Sequence, residues 1–406
     1  MAELGNNENR KIGIAAICLG IYFLAMPFDS FSAFGIGSLT KIFILLPITA
    51  IILERNTKLY WGRLSKILFI YLSYFILSIY YGVSFELVST KATTLLLNVS
   101  AVLCVGALRN GYNEKEIIFL KKALIGGGIA TIILTLLFSD ISASGRLTMG
   151  INGDTQDQNY INGYLMFAFV ALVTEIIKEK RILCAVPAAG IIVFILFTGS
   201  RGSLLAFFGA AIVVLLYIMY SQGKSFRALF LIVALSAVVF FSMDYVIAFL
   251  PQGVALRFSR EYLQTHATTG RTDIWKYLLQ VFAESSIPRQ LFGYGFGATS
   301  AVNHMGGTFA GLPAHNLWID HLIMGGIVGE IIFVIMIYRY IRAALKSKDA
   351  FLIGSYTGFL IMMMSLSLIS YKPIWNCMMM IMIVTRNNEM TVMGNMDLEL
   401  FNSRRI

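Results

Sequence analysis

Charge is what this chain has least of. Only 13% of its 406 residues are Asp, Glu, Lys or Arg, about half the usual share, so a water-soluble fold and a disordered chain are both excluded. Cysteine is also scarce. Cys18, Cys104, Cys184 and Cys377 each lie inside an apolar run, which offers neither a disulfide framework nor a C-x-x-C metal site and reads as small core residues. No strict short period marks a coiled coil or a collagen-like chain, and no repeat of solenoid length appears. What is abundant is apolar residues: 57% of 406, about 231, where twelve membrane helices of roughly 20 residues need about 240. The composition therefore predicts an all-α polytopic membrane protein of about 12 transmembrane helices, built as one integral membrane domain over 1–406. The net charge of +10 then belongs to loops, not to nucleic acid.

Apolar segments of membrane length run at 12–28, 35–53, 67–83, 93–108, 122–138, 158–177, 182–198, 203–220, 228–249, 317–338, 350–369 and 373–385. Arg10 and Lys11 precede the first, but no A-x-A site follows it, so it reads as an uncleaved helix. With the N-terminus in the cytoplasm, 22 of the 32 Lys and Arg residues fall on the cytoplasmic side and 10 outside, which fixes the expected orientation with both termini inside. The inner cations sit beside helix ends. The outer ones recur beside Gly, Asn, Asp and His, together with all four histidines, His266, His304, His315 and His321. Between about 250 and 315 runs a loop far longer than an ordinary helix connection. Within it Arg271–Ala283 places Ile274, Leu278 and Val281 at helical spacing, which predicts an amphipathic helix on the bilayer surface or over the bundle.

Chemistry is therefore expected on the outer face. Gly199-Ser200-Arg201-Gly202 joins two apolar helices there; a boundary arginine either snorkels to lipid phosphate or is held by a ligand. Arg271 opens the loop helix, where backbone N–H groups favour an anion, unless it merely pairs with Asp273. Two arginines from separate segments supply the planar, permanently charged forks that a diphosphate requires. His315, where the loop re-enters the membrane, is either a general base for a sugar hydroxyl or a capping residue. Arg146, Asp154, Asp157 and Asn159 lie on a polar loop able to hydrogen-bond a sugar or simply to turn. The glycines of LFGYGFG, with no βαβ unit before them, read as turns. No H-E-x-x-H or i, i+4 histidine pair is present, so no metal and no cofactor is expected. Glu330, fifteen residues past His315 and so about 22 Å down a helix, is an intramembrane acid and the best feature for a proton-coupled transporter or flippase.

The order of these motifs is the strongest signal. DQNYINGY, then SRG at the start of a helix, then a long loop opening GRTDIW, then LFGYGFG, then HN before a helix with GGIVGE, resembles the O-antigen ligase and O-antigen polymerase superfamily over roughly Asp154 to Glu330. The resemblance implies a type C glycosyltransferase in the bacterial inner membrane with an extracytoplasmic active site. Its donor and acceptor would be undecaprenyl-diphosphate-linked glycans of O-antigen or capsule, its reaction metal-independent and inverting, and its partners flippase and chain-length regulator proteins. Carried to matching positions, Arg201 and Arg271 would hold the diphosphate and His315 would activate the acceptor hydroxyl. Arg146, Asn159, Arg257, Arg260 and Asn316 are the further candidates for substrate contact. An Ile- and Lys-rich composition favours the polymerase branch over a ligase that transfers glycan to lipid A core.

Overall fold

The computed structural model describes residues 11–30, 39–54, 57, 60–109, 111–142, 145–151, 154–155, 157–224, 231–233, 245–265, 270–306 and 310–403. Among them five helices are long and apolar enough to cross a membrane: Arg63–Tyr81, Phe85–Leu108, Glu114–Leu137, Arg201–Ser221 and Leu317–Ser347. The pair Gln158–Tyr164 and Met166–Lys178 is long and apolar enough to count as a sixth if taken as one span, but is bent by 45° at Leu165, within the uninterrupted apolar segment expected at 158–177. Shorter apolar helices cover Ile14–Leu24, Thr40–Leu53, Ile182–Phe197 and Ala350–Met362. Lys372–Ser403 is continuous and so outruns the short last segment expected from hydropathy. Pro373, in its first turn, lacks only an N–H that the helix would leave unpaired there. The expected segment 228–249 lies largely outside the described residues. The protein is an all-α polytopic membrane protein.

Contacts between distant loops show that the helices alternate in direction. At one end Lys372 pairs with Asp29, Arg289 Nη1 donates to the Tyr81 carbonyl at 2.8 Å, and Leu317 N donates to Met363 O at 2.8 Å. At the other, Gly13 N donates to Glu116 at 2.9 Å, Arg109 meets Glu54 and Lys121 meets Asp349. A large apolar core joins the helices, and a small satellite core of Ile274, Leu278, Ala298, Val302, Ala314 and Ile323 lies under the long loop. Closest packing is made by glycines: a Cβ on Gly209 would strike Ile361, and one on Gly354 would strike Val214. Small residues bring membrane helices together where lipid leaves no hydrophobic drive to do so.

The loop end is organised by a kink and a small sheet. Gly326, at φ 60°, interrupts the Leu317–Ser347 helix, and the carbonyls of Ile323 and Met324 accept from Tyr294 N at 2.9 Å and Gly295 N at 3.0 Å. A side chain at Gly326 would meet the backbone of Leu291 and Gly293, so the LFGYGFG turn and the kink fit only as glycine against glycine. Those turns agree with the sequence reading, since Gly293, Gly295 and Gly297 all have positive φ. The loop helix occupies Arg271–Ala283 as expected, with Ile274 and Leu278 buried. Before the bent pair, β1 (Ser139–Ile141), β2 (Leu147–Ile151) and β3 (Asp154–Thr155) form an antiparallel sheet, Asp140 opposite Thr148 and Gly150 opposite Thr155, where the sequence suggests only a polar loop.

Candidate active site

Four arginines from four stretches of chain meet at the loop end. Arg146 stands just before β2, Arg201 opens its helix behind the Ser200 cap, Arg257 lies in Gln252–Phe258, and Arg271 opens the loop helix after Gly270. Backbone carbonyls aim three of them: Arg146 Nε donates to Thr198 O at 2.7 Å, Arg257 Nε to Gly199 O at 3.1 Å, and Arg271 Nη1 to Ser365 O at 2.9 Å. Gly199, at φ 63°, lets both guanidinium stems approach, for a Cβ there would lie 3.3 Å from Arg146 Cγ and Arg257 Cδ. Arg201 lies over the Tyr262 ring, 5.7 Å from its centroid. The expected alternative for Arg271, a pair with Asp273, is not formed.

The charges act on one another. Burial first, then repulsion from Arg257 and Arg271, push Arg146 down to about 10, with Asp157 opposing. Arg271 is also pushed down, chiefly by burial, with Asp157 opposing and Arg257 and Arg201 adding to the fall. Both remain cationic at neutral pH. Among the described residues neither Arg146, Arg257 nor Arg271 has a carboxylate within ion-pair distance. The result is a concentrated positive field, opposed at Arg146, Arg271 and His315 by the Asp157 carboxylate.

His315 shares that field. It sits at φ 50°, a left-handed conformation that costs a non-glycine residue about 1–3 kcal/mol and is tolerated where neighbours hold it. Asp320 Oδ1 accepts from Ala314 N at 3.1 Å, its other oxygen accepts from Ser367, and Trp275 Nε1 donates to Ala314 O at 2.7 Å. The turn before His315 is therefore fastened to the loop helix, the membrane helix and the 363–370 connection at once. Burial lowers the pKa of His315 below 6.5, Arg271 lowers it further, and Asp157 opposes. Its Nδ1 is buried with no hydrogen-bond partner among the described residues. An imidazole so placed is neutral at physiological pH and able to accept a proton.

Beside this cluster is a cavity of about 190 Å³ lined by Asp29, Asp157, Tyr160, Tyr164, Ser367 and Tyr371, among others. Carboxylates, hydroxyls and aromatic faces are the groups that bind sugars. The structure brings Arg146, Asn159, Arg201, Arg257, Arg271 and His315 to one place: Arg146 Nη2 reaches Asn159 Oδ1 at 3.5 Å, and Ser200 Oγ donates to the same oxygen at 2.7 Å. Asn316 caps the next helix, its side-chain oxygen accepting from Trp318 N at 3.1 Å. The Arg260 side chain and His266 lie outside the described residues. His321 departs from the expected outer face. It is fully buried inside the bundle, stacked at 3.9 Å on Phe333 and hydrogen-bonded to Tyr71 at 2.8 Å. Sequence reading passed over Asp320 and Asp29; an acid one turn past His315 was a usable signal for the first. Among the described residues no three His, Cys, Asp or Glu side chains come together as a metal site.

Comparison with known families matches a part of the chain that holds Arg201, Arg257, Arg271 and His315 but not Arg146, Asp157 or Asn159. Residues 186–334, from before the SRG turn to just past Glu330, match the family described as O-Antigen ligase, which supports the O-antigen ligase and polymerase superfamily for this chain. No curated protein matches it.

Proposed function

We propose that this protein polymerises undecaprenyl-diphosphate-linked oligosaccharide repeat units into a surface polysaccharide, O-antigen or capsule, at the extracytoplasmic face of the bacterial inner membrane. The observation that carries the reading is the convergence of Arg146, Arg201, Arg257 and Arg271 with the neutral imidazole of His315 and the Asp157 carboxylate. A diphosphate leaving group is the anion such a field fits, because guanidinium forks hold phosphate oxygens bidentately and stay charged as the bond breaks. The acceptor hydroxyl gives its proton to His315 while its oxygen attacks the anomeric carbon from the face opposite the diphosphate. The carbon–oxygen bond to phosphate breaks, its electron pair leaves with undecaprenyl diphosphate, and the anomeric configuration inverts. Both steps use only the chain's own groups. The cavity beside Asp157 is the place for sugar rings, and a flippase that delivers the donor and a chain-length regulator are the partners this chemistry needs.

The family description also suits a ligase, and only the acceptor separates the two. Purified full-length protein given lipid-linked repeat unit alone is expected to make a ladder of longer products. Transfer to lipid A core with no ladder would overturn the polymerase reading in favour of the ligase.

A further inference from the structure

The end of the bundle opposite His315 carries a second basic site. A cavity of about 300 Å³ lies there among Arg63, Arg339, Arg342, Lys346 and Arg386, with Tyr60 at its wall and, among the described residues, no carboxylate in its lining. Arg342 and Lys346 belong to the last turns of Leu317–Ser347, a helix kinked at Gly326, and at 1.5 Å per residue lie at most about 40 and 46 Å from His315. We infer that this cavity binds a phosphate group, carried either by an anionic phospholipid headgroup or by free phosphate.

Arg386 is the reason. Exposed cations beside a helix end need no explanation beyond the positive-inside rule, and Arg63, Arg342 and Lys346 are exposed. Arg386 is only 6% exposed. It donates from Nη1 to Gly106 O at 2.9 Å and lies over the Tyr60 ring, 5.0 Å from the centroid, while its Nε is buried with no hydrogen-bond partner among the described residues. A buried guanidinium with an idle donor is costly unless an anion meets it. Arg339, Arg342 and Lys346, spaced three and four residues apart, form one stripe on their helix, where like charges repel; a phosphate between them reverses the sign of that interaction. The first turn of Arg63–Tyr81 lines the same cavity, and its cap, Gly62, has no side chain to occupy the N–H groups, so the positive end of a long helix adds to the field. Trp61 and Tyr338 are 42% and 55% exposed, the aromatic pair expected at headgroup depth. Basic pockets between membrane helices at that depth suit anionic headgroups.

The site is independent of the chemistry at the loop end. Its test uses full-length protein in phosphatidylcholine nanodiscs, with two probes: dioleoylphosphatidylglycerol added to the disc and inorganic phosphate added to the buffer. Each is followed by the thermal unfolding midpoint and by native mass spectrometry. Arg342→Gln with Lys346→Gln removes two exposed charges without disturbing the core, and Arg386→Gln removes the buried one. Retention of phosphatidylglycerol by the parent, reduced about thirtyfold in the exposed double variant as each of the two cations near a headgroup contributes about 1 kcal/mol, supports a lipid source. Stabilisation by inorganic phosphate that the double variant loses supports a free anion. Binding of neither probe, or equal binding by parent and both variants, overturns the inference.

Discussion

Arg109 and the loop-end arginines Arg146, Arg257 and Arg271 are all wholly or partly buried, yet they are held in opposite ways. Arg109 sits between two carboxylates, its Nε 3.1 Å from Glu54 and its Nη2 2.8 Å from Glu116, and Glu116 is itself fixed by the capping box at Asn113. Its pKa is raised above the ordinary arginine value despite burial, because Glu116, Tyr112 and Glu54 all favour the cation. Charge there is spent within the protein and joins the Thr40–Leu53, Phe85–Leu108 and Glu114–Leu137 helices. Arg146, Arg257 and Arg271 instead lean on backbone carbonyls. A carbonyl orients a guanidinium without cancelling its charge, so the positive field stays available to a ligand. Burial alone is thus no sign of a site; burial without a neutralising acid is.

The comparison breaks first at His315. His315→Ala is expected to lower turnover by about 10² to 10⁴, the usual worth of a positioned general base, with donor affinity close to that of the parent. Weaker donor binding with unchanged turnover would make His315 a positioning residue. Next, Arg201→Lys is expected to lose about 10²-fold in turnover, since a compact ammonium cannot reproduce bidentate contact; expression and unfolding temperature measured on the same preparation separate this from misfolding. Parent-like turnover would make Arg201 a snorkelling anchor. At the other end the effect should fall on stability instead. Arg109→Ala leaves the buried Glu116 without its counter-ion, held only by the Gly13 and Asn113 N–H groups, which costs about 3–5 kcal/mol, and is expected to lower the unfolding midpoint while the folded fraction keeps its turnover. The smallest effect concerns pH. Neutral His315 is the active form and its pKa is depressed by burial and Arg271, so turnover should persist below pH 6.5 and fall only as the lowered pKa is crossed. Arg271→Gln removes one of the two depressing influences and should move that acid limb upward.

Sequence reading reached the parts of the site that local pattern carries. Arg201 and Arg271 stand at helix starts beside glycine, and the Ile274/Leu278 spacing gave the bounds of the loop helix. Contacts between remote stretches leave no such trace: Asp29 and Asp157 line one cavity because the helices alternate, and no period in the chain links them. The sheet escaped notice because its strands are only two to five residues long, too short for alternation to register. The kink at Gly326 hides in an apolar run, since its cause is the loop at Gly293. The burial of His321 was legible. It falls four residues after Leu317 and three before Met324, both buried, and so belongs to the inward face by helical spacing.

The central claim, that Arg146, Arg257 and Arg271 keep their charge for a diphosphate, is tested most directly by the affinity of full-length protein for undecaprenyl diphosphate. The measurement is made in neutral-lipid nanodiscs on the parent, Arg271→Ala and Arg109→Ala. The account predicts at least about a tenfold loss for Arg271→Ala, in line with the loss of a charge-assisted contact worth about 1.5–3 kcal/mol, and parent affinity for folded Arg109→Ala. Equal affinity in all three proteins would contradict it.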